Sequence, residues 1–208
     1  MTAANSATPA ATIAILAGGQ SRRMGTDKAL LPVKGQPLIE RVAARCQTLD
    51  LPLIVIANQV ERFAGLGLPV YPDVIPGKGS MGGIYTALVH SETPHTLCVA
   101  CDMPFVSPAL MARLIELAPG YDVVIPEIDG RMQALHAVYG QGCRQTFYEH
   151  IQTDRLKIIG AFDGLAVHVP DAAELRALDP DGRAFLNINT PDDLLRVRQW
   201  LEQDSTSS

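Results

Sequence analysis

Residues 12–31, Thr12-Ile-Ala-Ile-Leu-Ala-Gly-Gly-Gln-Ser-Arg-Arg-Met-Gly-Thr-Asp-Lys-Ala-Leu-Leu31, decide the fold of this chain. The stretch begins with apolar and β-branched residues, a pattern typical of a buried parallel strand. Gly18 and Gly19 then allow the backbone to turn sharply and to present successive N–H groups to an anion. Three cations follow closely, Arg22, Arg23 and Lys28. The stretch therefore suits a polyphosphate, the alternative being a tight turn whose charges are simply solvated.

The composition is that of a globular protein with one sizeable core. The chain has 208 residues, of which 47% are hydrophobic and 19% charged, so we expect a single domain over residues 1–208 with flexible ends at 1–11 and 204–208. A net charge of −5 argues against a non-specific nucleic-acid or membrane-surface binder. No apolar run approaches the roughly 20 residues that span a bilayer, and residues 1–11 lack the features of a signal peptide. We therefore expect a cytoplasmic protein.

Strand and helix patterns alternate along the chain. Strands are predicted at residues 12–16, 53–57, 69–71, 96–100, 121–126, 132–139 and 166–169, with 185–188 extended. Helices are predicted at residues 37–49, 60–66, 84–90, 108–117, 143–152, 155–161 and 171–178, and a last helix, capped by residues 190–193, runs to about residue 203. The alternation predicts an α/β fold, a three-layer α/β/α sandwich around a mostly parallel sheet.

In such sheets, ligands bind outside the carboxyl ends of the strands. The loops after Leu16, Ala57, Tyr71 and Ala100 should therefore meet at one edge, and each carries a residue with binding chemistry. These residues are Gly18, Gly19, Asn58, Asp73 and Asp102.

The spacing Cys98-x-x-Cys101 is also found in redox and metal-binding motifs. Here the pair lies in a strand-like apolar run, where residues an odd number of positions apart point to opposite faces. We therefore expect separated, buried thiols and no metal or redox pair.

The first loop resembles the signature of the molybdenum cofactor guanylyltransferases, through Leu16-Ala17-Gly18-Gly19-Gln20-Ser21-Arg22-Arg23-Met24-Gly25-Thr26-Asp27-Lys28 and Leu31-Pro32. Further matches are Ala57-Asn58, Asp73, the loop 79–83, Cys101-Asp102-Met103-Pro104 and Asn187-Ile188-Asn189-Thr190-Pro191, so the resemblance covers nearly the whole chain. It implies a Rossmann-like nucleotidyltransferase fold of the GT-A type. It also implies transfer of GMP from Mg-GTP to the terminal phosphate of molybdopterin or its molybdenum form, with release of pyrophosphate.

The resemblance assigns roles residue by residue. The GTP-binding residues that it implies are Leu16, Ala17, Gly18, Gly19, Lys28, Asn58, Asp73 and Asp102, and Asp102 also binds Mg²⁺. Asn187 and Asn189 are placed on the pterin side, and the partners implied are GTP, molybdopterin and proteins of cofactor biosynthesis or molybdoenzyme chaperones. One departure concerns the second loop, which often reads Gly-Pro-Leu-Ala-Gly in the family. Here Gly79-Ser80-Met81-Gly82-Gly83 lacks the proline, which puts the rigidity of that loop in doubt.

The chemistry of nucleotidyl transfer fits these residues. The triphosphate must be held, a metal placed and the attacking oxygen aligned with the leaving pyrophosphate. The amides of residues 17–19 with Arg22 and Lys28 suit the first task, which makes Arg22, Lys28 and Asp102 the catalytic candidates. Mg²⁺ prefers one or two carboxylates plus phosphate oxygens, which Asp102 would satisfy unless it caps the next helix instead.

Other functions remain open. Asp73 and Asn58 suit base or ribose binding, but equally the capping of a turn. The run Gly77-Lys78-Gly79-Ser80-Met81-Gly82 matches Gly-x-Gly-x-x-Gly, with Asp102 beyond it, which raises an NAD(P)-dependent oxidoreductase. Pro72 and Pro76 interrupt the strand that this motif requires. A nucleotide-binding module without catalysis is a further alternative.

The choice of base is predicted from the first loop. Similar proteins that transfer cytidylyl groups carry Leu-Ala-Ala-Gly, whereas this chain has Leu16-Ala17-Gly18-Gly19. The missing Cβ leaves room for a purine, and guanine offers N–H donors that a carbonyl or carboxylate accepts. We expect GTP to be preferred over CTP and ATP, with a cytidylyltransferase as the alternative.

Overall fold

The computed structural model describes residues 11–18 and 28–206. The strands are β1 Ala11–Leu16, β2 Pro32–Val33, β3 Gln36–Pro37, β4 Leu53–Ile56, β5 Val70–Tyr71, β6 His95–Ala100, β7 Val123–Val124, β8 Glu127–Ile128, β9 Arg131–Met132, β10 His136–Gly140 and β11 Val167–His168. The α-helices are α1 Leu38–Gln47, α2 Gly79–His90, α3 Pro108–Glu116, α4 Cys143–Gln152, α5 Ala172–Leu178 and α6 Pro191–Thr206. Short 3-10 helices lie at Lys28–Leu30, Val60–Leu66 and Ile158–Ala161.

A seven-stranded sheet in the order β11-β7-β10-β6-β1-β4-β5 forms the centre of the molecule. β1 pairs in parallel with β4 on one side and with β6 on the other. β10 runs antiparallel to both of its neighbours, β6 and β7. The predicted α/β fold with a mostly parallel sheet is confirmed, and the carboxyl ends of β1, β4, β5 and β6 lie at one edge.

Helices cover both faces of this sheet because successive strand residues point to opposite sides. Ile13 and Ile15 of β1 pack in a core with residues of α1 and α3. Ala14 packs in a second core on the other face, with residues of α2 and α4. A third, smaller cluster joins α6 to the β2–β3 hairpin through Val33, Leu38, Phe105, Ile188, Val197 and Leu201. The result is the predicted three-layer sandwich.

The predicted separation of the Cys98 and Cys101 thiols is confirmed. Cys98 is fully buried in the second core, whereas Cys101 packs against the first, so the two thiols face opposite sides of the sheet. None of the four cysteines, all of which lie in the described ranges, forms a disulfide. Within the described ranges 11–18 and 28–206, no group of three or more His, Cys, Asp or Glu residues could hold a metal ion.

Helix α2 begins earlier than predicted, at Gly79 instead of residue 84. The sequence favours a loop here because glycine destabilises helix interiors. The packing explains the difference. A Cβ on Gly82 would lie 2.9 Å from Lys78 Cβ and 3.4 Å from the Ile75 carbonyl oxygen, so the turn closes tightly only around glycine.

The predicted strand 132–139 was wrong at its start. Residues 127–132 form a separate hairpin, β8–β9, around Asp129 and Gly130, which have φ angles of 50° and 73°. An Asp-Gly turn of this kind matches the twist of paired strands, and β10 begins only at His136.

The other predicted boundaries differ less. Only Ile158–Ala161 of the predicted helix 155–161 is helical, and residues 185–188 lie in no strand. The last helix continues to Thr206. Ala11, expected in the flexible N-terminal end, is the first residue of β1.

In the described part of the chain, no helix has both the length and the apolar character required to cross a membrane.

Candidate functional site

A cleft of about 160 Å³ opens at the carboxyl edge of the sheet. It lies where β1, β4 and β6 end and where α2 begins. The residues that line it are Leu16, Ala17, Gly18, Lys28, Ala29, Ile56, Asp73, Gly79, Ser80, Gly83, Ala100, Cys101, Asp102 and Leu135. In open parallel sheets, ligands usually bind at this carboxyl edge.

The cleft contains most of the residues assigned from the sequence. Those that line it directly are Leu16, Ala17, Gly18, Lys28, Asp73 and Asp102. Asn58 lies beside the cleft and contacts Asp73. Gly19 and Arg22 lie outside the described residues, as do Arg23 and Asp27.

Asp102 and Lys28 form an ion pair in the wall of the cleft. Lys28 Nζ lies 3.5 Å from Asp102 Oδ2, and the two side chains are 17% and 18% exposed. Asp102 is the second residue after β6, and its backbone carbonyl accepts a hydrogen bond from Ile188 N at 3.0 Å. The next helix, α3, is capped by Ser107, whose Oγ accepts from Leu110 N. Asp102 is therefore free of the capping role that was its alternative.

The pKa of the Asp102 carboxyl is raised by burial, and the neighbouring Lys28 ammonium partly offsets this increase. A carboxylate held in this way gains from any further positive charge that approaches it. The site is thus electrostatically suited to an added cation.

Asp73 is held by Asn58 through two hydrogen bonds. Asn58 Nδ2 donates to Asp73 Oδ2 at 2.8 Å, and Asp73 N donates to Asn58 Oδ1 at 2.9 Å. A Cβ built on Gly18 would stand 4.0 Å from Asp73 Oδ2 and 3.9 Å from the Ile56 carbonyl, which is ordinary contact. None of the described residues therefore excludes a Cβ at position 18.

The segment before α6 reaches the same cleft. Asn189 Oδ1 accepts a hydrogen bond of 2.7 Å from Lys28 Nζ. The Asp193 carboxylate accepts from the backbone N–H groups of Asn189 and Thr190, and Asp193 N in turn donates to Thr190 Oγ1. This reciprocal cap fixes the segment to the start of α6. Asn187 instead donates to the Phe185 carbonyl at 3.4 Å.

Several lining residues were not assigned from the sequence. Gly79, Ser80 and Gly83 belong to the first turns of α2 and bring a helix N-terminus into the cleft. The glycine-rich run signalled their importance, but not that they are helical. Leu135 precedes β10 and its carbonyl accepts from Ala100 N, and nothing in its sequence context marks it.

This arrangement provides what a bound nucleoside triphosphate needs. Lys28 could neutralise phosphate charge, the Asp102 carboxylate could hold a metal, and the start of α2 could offer N–H donors with a partial positive charge. Asp73 offers a fixed acceptor at the other side of the cleft.

Known proteins resemble the chain in sequence and in fold. Residues 13–166 match the family model of the MobA-like NTP transferase domain. A protein of Pelotomaculum thermopropionicum named "probable molybdenum cofactor guanylyltransferase" is 40% identical over 196 residues, covering 94% of this chain and 96% of that protein. A molybdenum cofactor guanylyltransferase of Desulfosudis oleivorans is 33% identical over 187 residues, covering 89% of this chain and 93% of its own.

A solved structure agrees with these relatives. The molybdopterin-guanine dinucleotide biosynthesis protein A of Archaeoglobus fulgidus superposes with a TM-score of 0.83 at 29% identity, covering 92% of this chain and 99% of that one.

Proposed function

Because the chain belongs to the MobA-like NTP transferase family, we propose that it is a molybdenum cofactor guanylyltransferase. It transfers GMP from GTP to the terminal phosphate of molybdopterin or its molybdenum form, and pyrophosphate leaves. The observation that carries the proposal is the Lys28–Asp102 pair beside Gly18 at the carboxyl edge of the sheet.

The residues of the cleft have separate roles in the proposed reaction. Lys28 neutralises charge on the triphosphate, with one of its N–H bonds directed at Asn189. The backbone of residues 16–18 and the first turn of α2 bind phosphate oxygens. Asp73, oriented by Asn58, accepts hydrogen bonds from the nucleoside. The attacking phosphate is already ionised at neutral pH, so the reaction needs no strong general base, and we assign none.

The residues present also fit a magnesium ion. Asp102 is a half-buried carboxylate whose ionised form gains from added positive charge. Mg²⁺ is usually bound through one or two carboxylates together with substrate phosphates, and seldom by an all-protein cage. When bound, the ion would polarise the phosphates and stabilise the charge that develops on pyrophosphate.

The base is expected to be guanine. Position 18 is glycine, and among the described residues an added Cβ would make only ordinary contacts, so we expect its effect to fall mainly on the ligand. Guanine N–H donors match a carboxylate acceptor such as Asp73, and a base without them would leave that acceptor unpaired.

Pyrophosphate release with molybdopterin, Mg²⁺ and each of the four NTPs tests the proposal. We expect release with GTP only, and loss of it in Asp102→Asn at an unchanged melting temperature. Preference for CTP would make the protein a cytidylyltransferase. Thermal stabilisation by NAD(P) without any pyrophosphate release would overturn the transferase function altogether.

A further inference from the structure

We propose that Thr86, a residue of α2 that does not line the cleft, is a positioning residue that holds Asp73 and the first turn of α2 in the geometry for binding the nucleotide. This inference rests on the proposed function only in so far as the cleft binds an NTP. It concerns how the site is built, whichever base is preferred.

The Thr86 hydroxyl makes two hydrogen bonds in different directions. Its Oγ1 donates to the Gly82 carbonyl at 2.8 Å, one turn earlier in the same helix. The same oxygen accepts from Val74 N at 3.0 Å, which belongs to the loop after β5. Threonine can do both because a hydroxyl has one donor and two acceptor lone pairs. The side chain is 0% exposed, so water does not replace either partner.

Each of these partners adjoins a residue of the cleft. Val74 directly follows Asp73, whose own N–H and carboxylate are bonded to Asn58. Thr86 and Asn58 thus hold Asp73 from two sides, one from α2 and the other from the end of β4. Losing the Thr86 hydroxyl would release one of these two attachments and let the Asp73 carboxylate move.

The second partner belongs to the turn of α2 that enters the cleft. Gly82 N donates to the Lys78 carbonyl at 3.2 Å, and the backbone of Gly82 packs too closely against Lys78 and Ile75 to accept a side chain. Gly79 and Ser80 in this turn line the cleft. One buried hydroxyl therefore connects both walls, the Asp73 loop and the start of α2.

A threonine hydroxyl bonded to the carbonyl one turn earlier is common in helices and is by itself only structural. The bond from Val74 N distinguishes Thr86, because it comes from outside the helix and from the residue next to Asp73. A structural role predicts lower stability alone. A positioning role predicts weaker nucleotide binding that depends on the Asp73 carboxylate.

The test uses the full chain, isothermal titration with GTP and Mg²⁺, and pyrophosphate release for KM and kcat. Thr86→Val keeps the shape and removes the hydroxyl, Thr86→Ser restores the hydroxyl, and Thr86→Ala is the second variant if valine prevents folding. The matched control is Thr96→Val in β6. Thr96 is also 0% exposed, and its Oγ1 has no hydrogen-bond partner among the described residues.

We expect Thr86→Val to raise the Kd and KM for GTP about three- to tenfold, the range that one net hydrogen bond supports, with kcat much less affected. Thr86→Ser should bind like wild type, and Thr96→Val should not change GTP binding. In an Asp73→Ala background, Thr86→Val should cause little further loss, because its effect passes through Asp73.

Two results would overturn the inference. One is an unchanged GTP affinity in folded Thr86→Val, and the other is an equal loss with and without the Asp73 carboxylate. If wild type binds a different NTP, the guanylyl proposal fails instead, and the same four variants are then measured with the NTP that it does bind.

Discussion

At the scale of single residues, Lys28 lines the cleft and contacts both Asp102 and Asn189. If it neutralises the triphosphate in the transition state, Lys28→Ala should lose about 10²–10³-fold in kcat, typical of one preorganised electrostatic contact. Lys157→Ala, at an exposed lysine that does not line the cleft, is the control. Near-normal turnover by Lys28→Ala would show that this lysine has no role in catalysis.

The role of Asn189 can be tested by asking whether mutations of Asn189 and Lys28 have additive effects on kcat. The resemblance places it on the pterin side, whereas in the structure its Oδ1 accepts from Lys28 Nζ at 2.7 Å. We predict that Asn189→Ala lowers kcat in wild type but has little effect in Lys28→Ala, because residues in direct contact are not additive. Fully additive losses, together with a higher KM for molybdopterin, would instead indicate that Asn189 binds the acceptor.

His136 makes stability depend on pH. Its imidazole is fully buried, both ring nitrogens lack hydrogen-bond partners among the described residues, and burial lowers its pKa from 6.5 to about 4. Between about pH 4 and pH 6.5, therefore, His136 is protonated in the unfolded chain and neutral in the folded chain. Stability should fall as pH drops from about 6.5 to about 4, by about 3 kcal/mol for this group.

The measurement compares urea unfolding of wild type and His136→Leu at several pH values, because the difference isolates this residue from other titrating groups. The variant should lose less stability on acidification than wild type does. If the free energy of unfolding changed equally with pH in the two proteins, protonation of His136 would not destabilise the folded state.

At the scale of elements, the first turn of α2 offers a pair of adjacent glycines with different surroundings. A Cβ at Gly82 would meet Lys78 Cβ at 2.9 Å, whereas one at Gly83 would meet only the Leu16 side chain, at 3.7 Å. We predict that Gly82→Ala lowers the melting temperature and weakens GTP binding, while Gly83→Ala is better tolerated by the fold. Equal melting temperatures would mean that the turn is looser than its contacts indicate.

The same turn shows where prediction from sequence stops. β1 and β6 were predicted well because their continuous apolar runs have few other stable arrangements. The start of α2 was missed because only its packing against Lys78 and Ile75 explains the glycines. A turn around Asp129-Gly130 was predicted between two strands, but the short strands β8 and β9 and the break before β10 were missed, because the apolar residues on both sides suggested longer strands.

For the site, topology made prediction possible. Asp73 and Asp102 are far apart in sequence, but both follow strands of one parallel sheet, so their meeting in one cleft followed from the fold. Leu135 and Thr86 could not be found in this way. One is an ordinary apolar residue, and the other acts through a hydrogen bond across two elements that no local pattern reveals.

At the scale of the whole molecule, we predict that the chain unfolds as one unit. β1 and β6 contribute to the cores on both faces of the sheet, and Ile188 N bonds to the Asp102 carbonyl, which ties the third cluster to the others. The single tryptophan, Trp200, packs against Phe105 in that cluster. Its fluorescence and the far-UV circular dichroism should therefore give coincident urea transitions. An earlier tryptophan transition would show that α6 detaches by itself.

The contact between Lys28 and Asn189 also constrains how the enzyme is made. These residues are 161 positions apart, so a chain emerging from the ribosome exposes Lys28 long before Asn189 has been synthesised. If the chain folds as one unit, the sheet is completed only when the C-terminal segment is also available. The lysine acquires its full set of partners only once α6 has begun to form behind Asn189. A nascent or truncated chain that ends before Asn189 therefore lacks this contact, and with it part of the proposed site.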